Sequence, residues 1–173
     1  PEQADSEISE EEMIRRNNEE LVAAWGNLVQ RVFSQVNNNF DKIQEISEED
    51  DLDKKLIMNF EEAYKNIGIL IEKVELKSAL QESMRCVSLV NVYLNETEPW
   101  KIIKNDTKKA GRILYTSLQA IDSCANLLYP FMPVTSENVR GAIPKITECK
   151  WGVNEIKRGV ELGQLELLFK KFD

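Results

Sequence analysis

The sequence contains no histidine, and this absence excludes more functional classes than any other feature of its composition. Without histidine there is no Ser-His-Asp or Cys-His triad, no histidine acid–base catalysis and no histidine ligand for a metal. A di-iron site of the kind found in helical bundles is excluded too, because its Glu-x-x-His motifs need histidine. No glycine-rich phosphate loop is present, since the seven glycines are scattered.

Cysteines and long apolar runs are also scarce. The three cysteines, Cys86, Cys124 and Cys149, lie far apart with no CxxC pair, which predicts buried free thiols of a reducing compartment. No apolar run approaches the ~18 residues that a membrane helix needs, and no basic-then-apolar leader opens the chain. We therefore expect a cytoplasmic protein, or a piece of one, without a membrane partner.

Charge is plentiful and unevenly distributed along the 173 residues, whose net charge is −8. Residues 1–20 contain eight acidic residues against two arginines, and residues 41–62 contain nine acidic residues against three lysines. The remainder of the chain carries a small positive excess. The total charge therefore does not decide whether nucleic acid is a partner, because its distribution matters more than its sum.

Apolar residues recur at helical spacing along most of the chain. The pattern predicts helices over about 9–39, 53–73, 75–95, 107–128 and 135–142, with a short turn over 100–104. Ser9 is the expected first cap, Asp106 or Thr107 opens the fourth helix, and Thr135 or Ser136 caps the last. Alternating strand patterns are almost absent. We predict an all-α bundle of four or five main helices in a single domain, 1–173, with an irregular tail from about 145.

Two polar features stand out against this pattern. Asn27 and Arg31 are four residues apart, so they share one face of the first helix and can converge on one ligand, although a solvated polar face explains them as well. Trp100 follows a helix break at Pro99 and precedes the most basic stretch of the chain. An aromatic residue beside basic residues suits stacking on an unpaired base, while a tryptophan that plugs the end of the core is the alternative. The basic residues are Lys101, Lys104, Lys108, Lys109 and Arg112.

The same residues carry a resemblance to a known family. The segments 17–22 (NNEELV), 25–31 (WGNLVQR) and 93–101 (YLNETEPWK) resemble the anticodon-binding domain of methionyl-tRNA synthetase, a class I synthetase. The match continues through 128–133 (LYPFMP) to 168–171 (LFKK), with the motifs in family order. It implies a helical bundle of the class I anticodon-binding type that binds the anticodon stem-loop of methionine tRNA, and not DNA.

The resemblance also implies roles for particular residues. Trp100 matches the family tryptophan that stacks on the first anticodon base, which is cytosine in the methionine anticodon CAU. Asn27 and Arg31 match an asparagine and an arginine that contact the same part of the loop. The basic residues after Trp100 are expected to meet backbone phosphates, which carry no sequence information. These are Lys101, Lys104, Lys108, Lys109 and Arg112.

Other features of a whole synthetase are missing. The HIGH and KMSKS signatures, the ATP site and the zinc-bearing insertion do not occur in this sequence. The resemblance therefore implies a domain that follows the catalytic domain of a methionine–tRNA ligase, where ATP with magnesium, and zinc, would bind. We expect no cofactor, no metal and no activity from this chain alone.

Two alternatives remain at the level of sequence. The chain could be the equivalent domain of another class I synthetase, such as the valyl, isoleucyl or cysteinyl enzyme; the Asn27/Arg31 pair together with Pro99-Trp100 favours the methionyl enzyme. It could also be a helical protein–protein adaptor that docks through the acidic segment 41–62. The salt dependence of binding distinguishes a tRNA-binding domain from a protein adaptor, because the affinity for tRNA falls steeply as added cations compete for the phosphates.

Overall fold

The structure, a computed structural model, describes residues 9–46 and 48–172. Its α-helices are α1 (Glu10–Arg16), α2 (Asn27–Asn39), α3 (Asp51–Glu72), α4 (Leu76–Thr97), α5 (Pro99–Ile102), α6 (Thr107–Leu128) and α7 (Pro133–Ala142). Within the described ranges the only strand-like pairing is an isolated antiparallel bridge between Lys145 and Ile156. The prediction of an all-α bundle is confirmed; the single-domain extent 1–173 stays a prediction, since the first eight residues lie outside the described ranges.

The first helix of the bundle is continuous from α1 to α2 through a π-helical segment, Asn17–Gly26. As expected, the Ser9 hydroxyl accepts a hydrogen bond from the Glu12 backbone N–H at 3.1 Å. Glu12 forms ion pairs with Arg15 and Arg16, and these hydrogen bonds lower the pKa of its carboxyl to about 2. The apolar spacing did not predict the π-helical segment.

The ends of the next two helices are set by local chemistry. Asp50 caps α3 in a capping box with Asp53. Val74 closes α3 in a left-handed conformation (φ 62°), where the Glu75 N–H donates to the Leu70 carbonyl at 2.9 Å. At the far end of α4, Glu98 is also left-handed (φ 41°), and the proline that follows it disfavours continuation of the right-handed helix. The predicted break before Trp100 is therefore present.

Helix α6 forms the centre of the bundle, and all its residues from Ile113 to Leu128 except Gln119 are buried. Helices α2, α3 and α4 pack around it. Gly111 allows the connector after α2 to cross α6, because a Cβ at this position would lie only 2.7 Å from the Gln44 side chain. The buried Asp122 of α6 lies 2.8 Å from the Lys145 ammonium, which joins the beginning of the tail to the core.

Two local predictions are wrong. The last helix is not capped by Thr135 or Ser136: α7 begins at Pro133, whose fixed φ suits the first helical position, and the Thr135 hydroxyl donates to the Met132 carbonyl. Cys149 is not a buried thiol but is exposed, since it lies in the tail, whereas Cys86 and Cys124 are buried as predicted.

The tail follows α7 and lies across the bundle without helical structure, as predicted. It pairs with the connector after α2, where the Ile43 N–H donates to the Val160 carbonyl at 2.8 Å and the Gly159 N–H donates to the Ile43 carbonyl at 2.9 Å. Near its end, the Phe172 N–H donates to the Asn18 side chain at 3.0 Å. The tail therefore returns to the π-helical segment that precedes Asn27.

Candidate nucleic-acid interface

Trp100 lies in the short helix α5, which fills the gap between the end of α4 and the start of α6. Pro99 occupies the first position of α5 and is buried, so the turn is anchored immediately before the indole. Trp100 itself is half-buried and packs against the edge of the core. The half-burial is compatible with either alternative considered from the sequence, and stacking on a base stays a prediction.

Arg31 reaches Trp100 from the neighbouring helix α2. The guanidinium carbon lies over the indole at 5.5 Å from the ring centroid, which is a cation–π contact. The Arg31 Nη2 donates to the Asn91 Oδ1 of α4 at 3.1 Å. The Asn91 amide donates in turn to the carbonyls of Ala24 and Val87, both at 3.2 Å. Asn91 therefore holds both the end of the π-helical segment that precedes α2 and the guanidinium of Arg31.

Burial shapes the chemistry of Arg31. The side chain is half-buried, and this desolvation lowers the pKa of the guanidinium. The group keeps its charge at neutral pH, because the ordinary pKa of an arginine side chain lies far above neutrality. Its Nε is buried and has no hydrogen-bond partner among the described residues. An unpaired buried donor is costly, so an acceptor that reaches it gains more than it would at an open surface.

Asn27 lies one turn before Arg31 on the same helix and is exposed. Its amide has no hydrogen-bond partner in the described part of the chain, so a donor and an acceptor are both available to a ligand. The structure thus brings Arg31 and Trp100 into contact and places Asn27 beside them. Helix α2 as a whole suits a polyanion, because its 13 residues include one arginine and six amides but no acid.

The five basic residues after Trp100 fall into two groups. Lys104, Lys108 and Lys109 are exposed, and no ion pair engages them in the described structure. Lys101 pairs with Glu98 at 2.7 Å, and Arg112 pairs with Asp50 at 3.0 Å and with Asp53 at 2.9 Å. Phosphate contact by all five residues stays a prediction. The three lysines without ion pairs can contact a phosphate without first breaking an existing ion pair.

Arg112 and Asp53 belong to a buried network beneath the α5 turn. Asp53 is 1% exposed and accepts a hydrogen bond from the Tyr93 hydroxyl, while Arg112 lies on its other side. Burial raises the pKa of Tyr93, so the phenol keeps the proton that it donates. The network joins the start of α3 to the end of α4 and the start of α6, and it fixes the two helices that flank Trp100.

Comparison with known proteins identifies the family. A sequence model of the anticodon binding domain of methionyl tRNA ligase matches residues 43–173, which is most of the chain. The chain belongs to this family. The methionine–tRNA ligase of Bifidobacterium adolescentis is 41% identical over 145 residues, and that of Chloroflexus aurantiacus is 38% identical over 139 residues. These matches cover 83% and 80% of this chain but 23% of each relative, so the chain spans about a quarter of their length.

Solved structures agree on the fold. The apo form of Mycobacterium tuberculosis methionyl-tRNA synthetase has a TM-score of 0.87 over 96% of this chain and 35% of that protein, with 21% identity. The methionyl-adenylate complex of the same enzyme gives a TM-score of 0.85. Family membership also decides among the class I alternatives, in favour of the methionyl type over the valyl, isoleucyl and cysteinyl types.

The family match includes Trp100 and the basic residues, but it begins after Asn27 and Arg31. Sequence reasoning missed Asn91, which holds the guanidinium of Arg31 against α4. A signal was present, because Asn91 interrupts the apolar stripe of α4 at a position where a core residue is expected.

In the ranges that the structure covers, no group of three or more His, Cys, Asp or Glu residues could hold a metal. No helix there is long and apolar enough to cross a membrane.

Proposed function

We propose that this anticodon-binding domain binds the anticodon stem-loop of methionine tRNA and holds the first anticodon base, a cytosine, at Arg31 and Trp100. The observation that carries the proposal is the contact between these two side chains. The guanidinium and the indole come from different helices, yet they meet at 5.5 Å at the edge of the core. A ligand therefore meets a site that is already assembled.

The chemistry of the site suits one unstacked base. The indole offers a flat surface, and stacking of a base on an aromatic ring contributes about 1–3 kcal/mol. Asn27 and Arg31 lie beside it and can address the pairing edge of cytosine, since the amide accepts from the base amino group and the guanidinium donates to its ring nitrogen and carbonyl oxygen. The exposed Lys104, Lys108 and Lys109 attract the phosphates of the loop.

The wider context is part of the same proposal. The relatives are named methionine–tRNA ligases and are about four times longer than this chain. We assign the chain to a ligase that joins methionine to its tRNA in protein biosynthesis in the cytoplasm. The catalytic domain of the same parent is then its partner, and ATP with magnesium, and zinc, bind there.

A titration tests the proposal. The chain is titrated with a CAU stem-loop and with stem-loops that differ only at the first anticodon base. Tighter binding of the cytosine-first loop, weakening steeply as salt rises, is expected. Equal affinity for all loops would refute base reading at this site. A complete lack of binding to any loop, together with salt-insensitive binding to a protein, would favour the adaptor alternative that uses the acidic segment 41–62.

A further inference from the structure

A cleft lined by charges of both signs lies between the connector after α2, the start of α3 and the tail. It encloses about 270 Å³, and one apolar side chain, Ile46, forms part of its wall. The other residues that line it carry two carboxylates, one ammonium group and one guanidinium, so their formal charges cancel; they are Glu48, Glu49, Lys54 and Arg158. None of these residues takes part in the site at Trp100.

The tail side of the cleft is shaped by a close approach of two chain segments. Gly159 is left-handed (φ 69°), and a Cβ at this position would lie only 2.9 Å from the Glu45 carboxylate. Glycine therefore allows the tail to lie directly against the connector, and this places the preceding residue, Arg158, beside the cleft. The Arg158 Nη1 donates to the Ile46 carbonyl at 3.3 Å, and the guanidinium lies over the Tyr115 ring of α6, 4.8 Å from its centroid. The guanidinium is thus held in place before any ligand arrives.

The opposite charges at the cleft do not neutralise one another. In the described part of the chain, Lys54, Glu48 and Glu49 take part in no ion pair, and all three side chains are exposed. Arg158 pairs, among the same described residues, only with Glu155, which lies 3.8 Å away and does not line the cleft. Exposed ion pairs stabilise a protein little, because holding two long side chains together costs entropy. A small ligand that carries both charges on one frame avoids part of that cost, so it can engage both sets of groups at once.

The lining of the cleft selects among ligand classes. An α-amino acid with free amino and carboxyl groups matches it, because its carboxylate can pair with the cations, its ammonium group with the glutamates, and an apolar side chain can pack on Ile46. The cations alone would suit phosphate, but the two carboxylates repel a purely anionic ligand. The volume is below the roughly 300–1,000 Å³ of pockets for drug-sized ligands, so the cleft suits a single amino acid better than a nucleotide.

We infer that this cleft binds a free α-amino acid in its zwitterionic form. Lys54 and Arg158 bind the carboxylate. Glu48 and Glu49 bind the ammonium group, and Ile46 contacts the side chain. The inference goes beyond the proposed function and does not depend on it, because the two sites share no residue. The acidic segment 41–62 contributes four of the five lining residues, so it forms most of the wall of a ligand site.

A titration of the whole chain with L-methionine tests the inference. Methionine is the probe because its unbranched side chain adapts to an irregular apolar wall. The backbone amide NMR signals of Ile46 and Gly159 should shift saturably as methionine is added. Methionine methyl ester, which lacks the carboxylate, and N-acetylmethionine, which lacks the ammonium group, should each bind about fivefold more weakly. The absence of a saturable shift would overturn the inference. Equal binding of N-acetylmethionine would overturn it too, because it would indicate a simple anion site.

Variants that each remove one charge locate the site. Lys54→Gln and Glu49→Gln alter exposed side chains, so the fold should be retained, and each should bind methionine about fivefold more weakly. Lys55→Gln is the matched control, because Lys55 is the next residue of α3 and is exposed but does not line the cleft. It should bind methionine as the unaltered chain does. Equal losses in Lys54→Gln and Lys55→Gln, or no loss in Lys54→Gln and Glu49→Gln, would show that methionine does not bind at this cleft.

Discussion

Trp100 is half-buried: part of its ring packs against the core, and the guanidinium of Arg31 lies over the ring. Trp100→Ala should therefore cost about 1–3 kcal/mol of tRNA binding through lost stacking. The free energy of unfolding should fall by much less than the ~3–5 kcal/mol expected for a fully buried indole. Stem-loop titration and denaturant unfolding of the same variant measure the two effects.

Trp100→Phe provides the control, since it keeps an aromatic plane but is smaller. It should retain most of the stability and part of the binding. An alanine variant that unfolds, together with a phenylalanine variant that binds normally, would show that Trp100 closes the core and does not stack on a base.

The three cysteines differ in burial, and their reactivity should differ accordingly. Burial raises the pKa of the Cys86 thiol to about 12 and raises that of Cys124 well above its ordinary value, so neither forms thiolate near neutral pH. Cys149 is exposed. A chromogenic disulfide reagent at pH 8 should titrate one thiol per native chain and three in denaturant. Cys149→Ser should remove the fast-reacting thiol, and two or more fast thiols in the native chain would contradict the assigned burial.

At the scale of elements, the turn between α3 and α4 contains a residue that its conformation disfavours. Val74 is left-handed, with φ 62°, and is 67% exposed, so its branched side chain is strained without the benefit of burial. Val74→Gly should raise the free energy of unfolding by about 0.5–1 kcal/mol, because glycine adopts this conformation freely and part of the gain is lost to unfolded-state entropy. Thermal or urea unfolding measures the change.

Val92→Gly is the matched control for this substitution. Val92 is also an exposed valine, but it lies inside α4 in a right-handed conformation. Glycine there should lower the free energy of unfolding by about 0.5 kcal/mol. A loss of stability in both variants would show that Val74 is not strained.

The elements show which structural features can be predicted from sequence. The long helices α3, α4 and α6 follow from apolar spacing and from caps such as Asp106, because these signals are local. The π-helical segment could not be predicted, since its apolar residues fit an ordinary helix equally well. Thr135 and Ser136 have the side chains of typical helix caps, but Pro133 begins α7 two residues before Thr135, so capping residues alone do not predict its start.

At the scale of the whole molecule, the site depends on contacts between elements that are distant in sequence. The resemblance points to Asn27, Arg31 and Trp100 as candidates. The spacing does not show that Arg31 lies over Trp100, nor that a hydrogen bond to Asn91 holds the guanidinium in that position. The ion pairs of Arg112 were equally unpredictable, because its partners belong to the acidic segment 41–62, some sixty residues earlier. Tertiary packing decides which charges stay free for a ligand.

In the proposed complex, α2 and α5 read a base while the lysines after Trp100 attract phosphates. The direct measurement is a matrix of variants against stem-loops that differ only at the first anticodon base, at two salt concentrations. Asn27→Ala and Arg31→Ala should narrow the preference for cytosine. Neutralising Lys104, Lys108 or Lys109 should weaken all loops alike and reduce the salt slope by about one unit for each lost phosphate contact. Equal losses for every loop in Asn27→Ala and Arg31→Ala would contradict the claim.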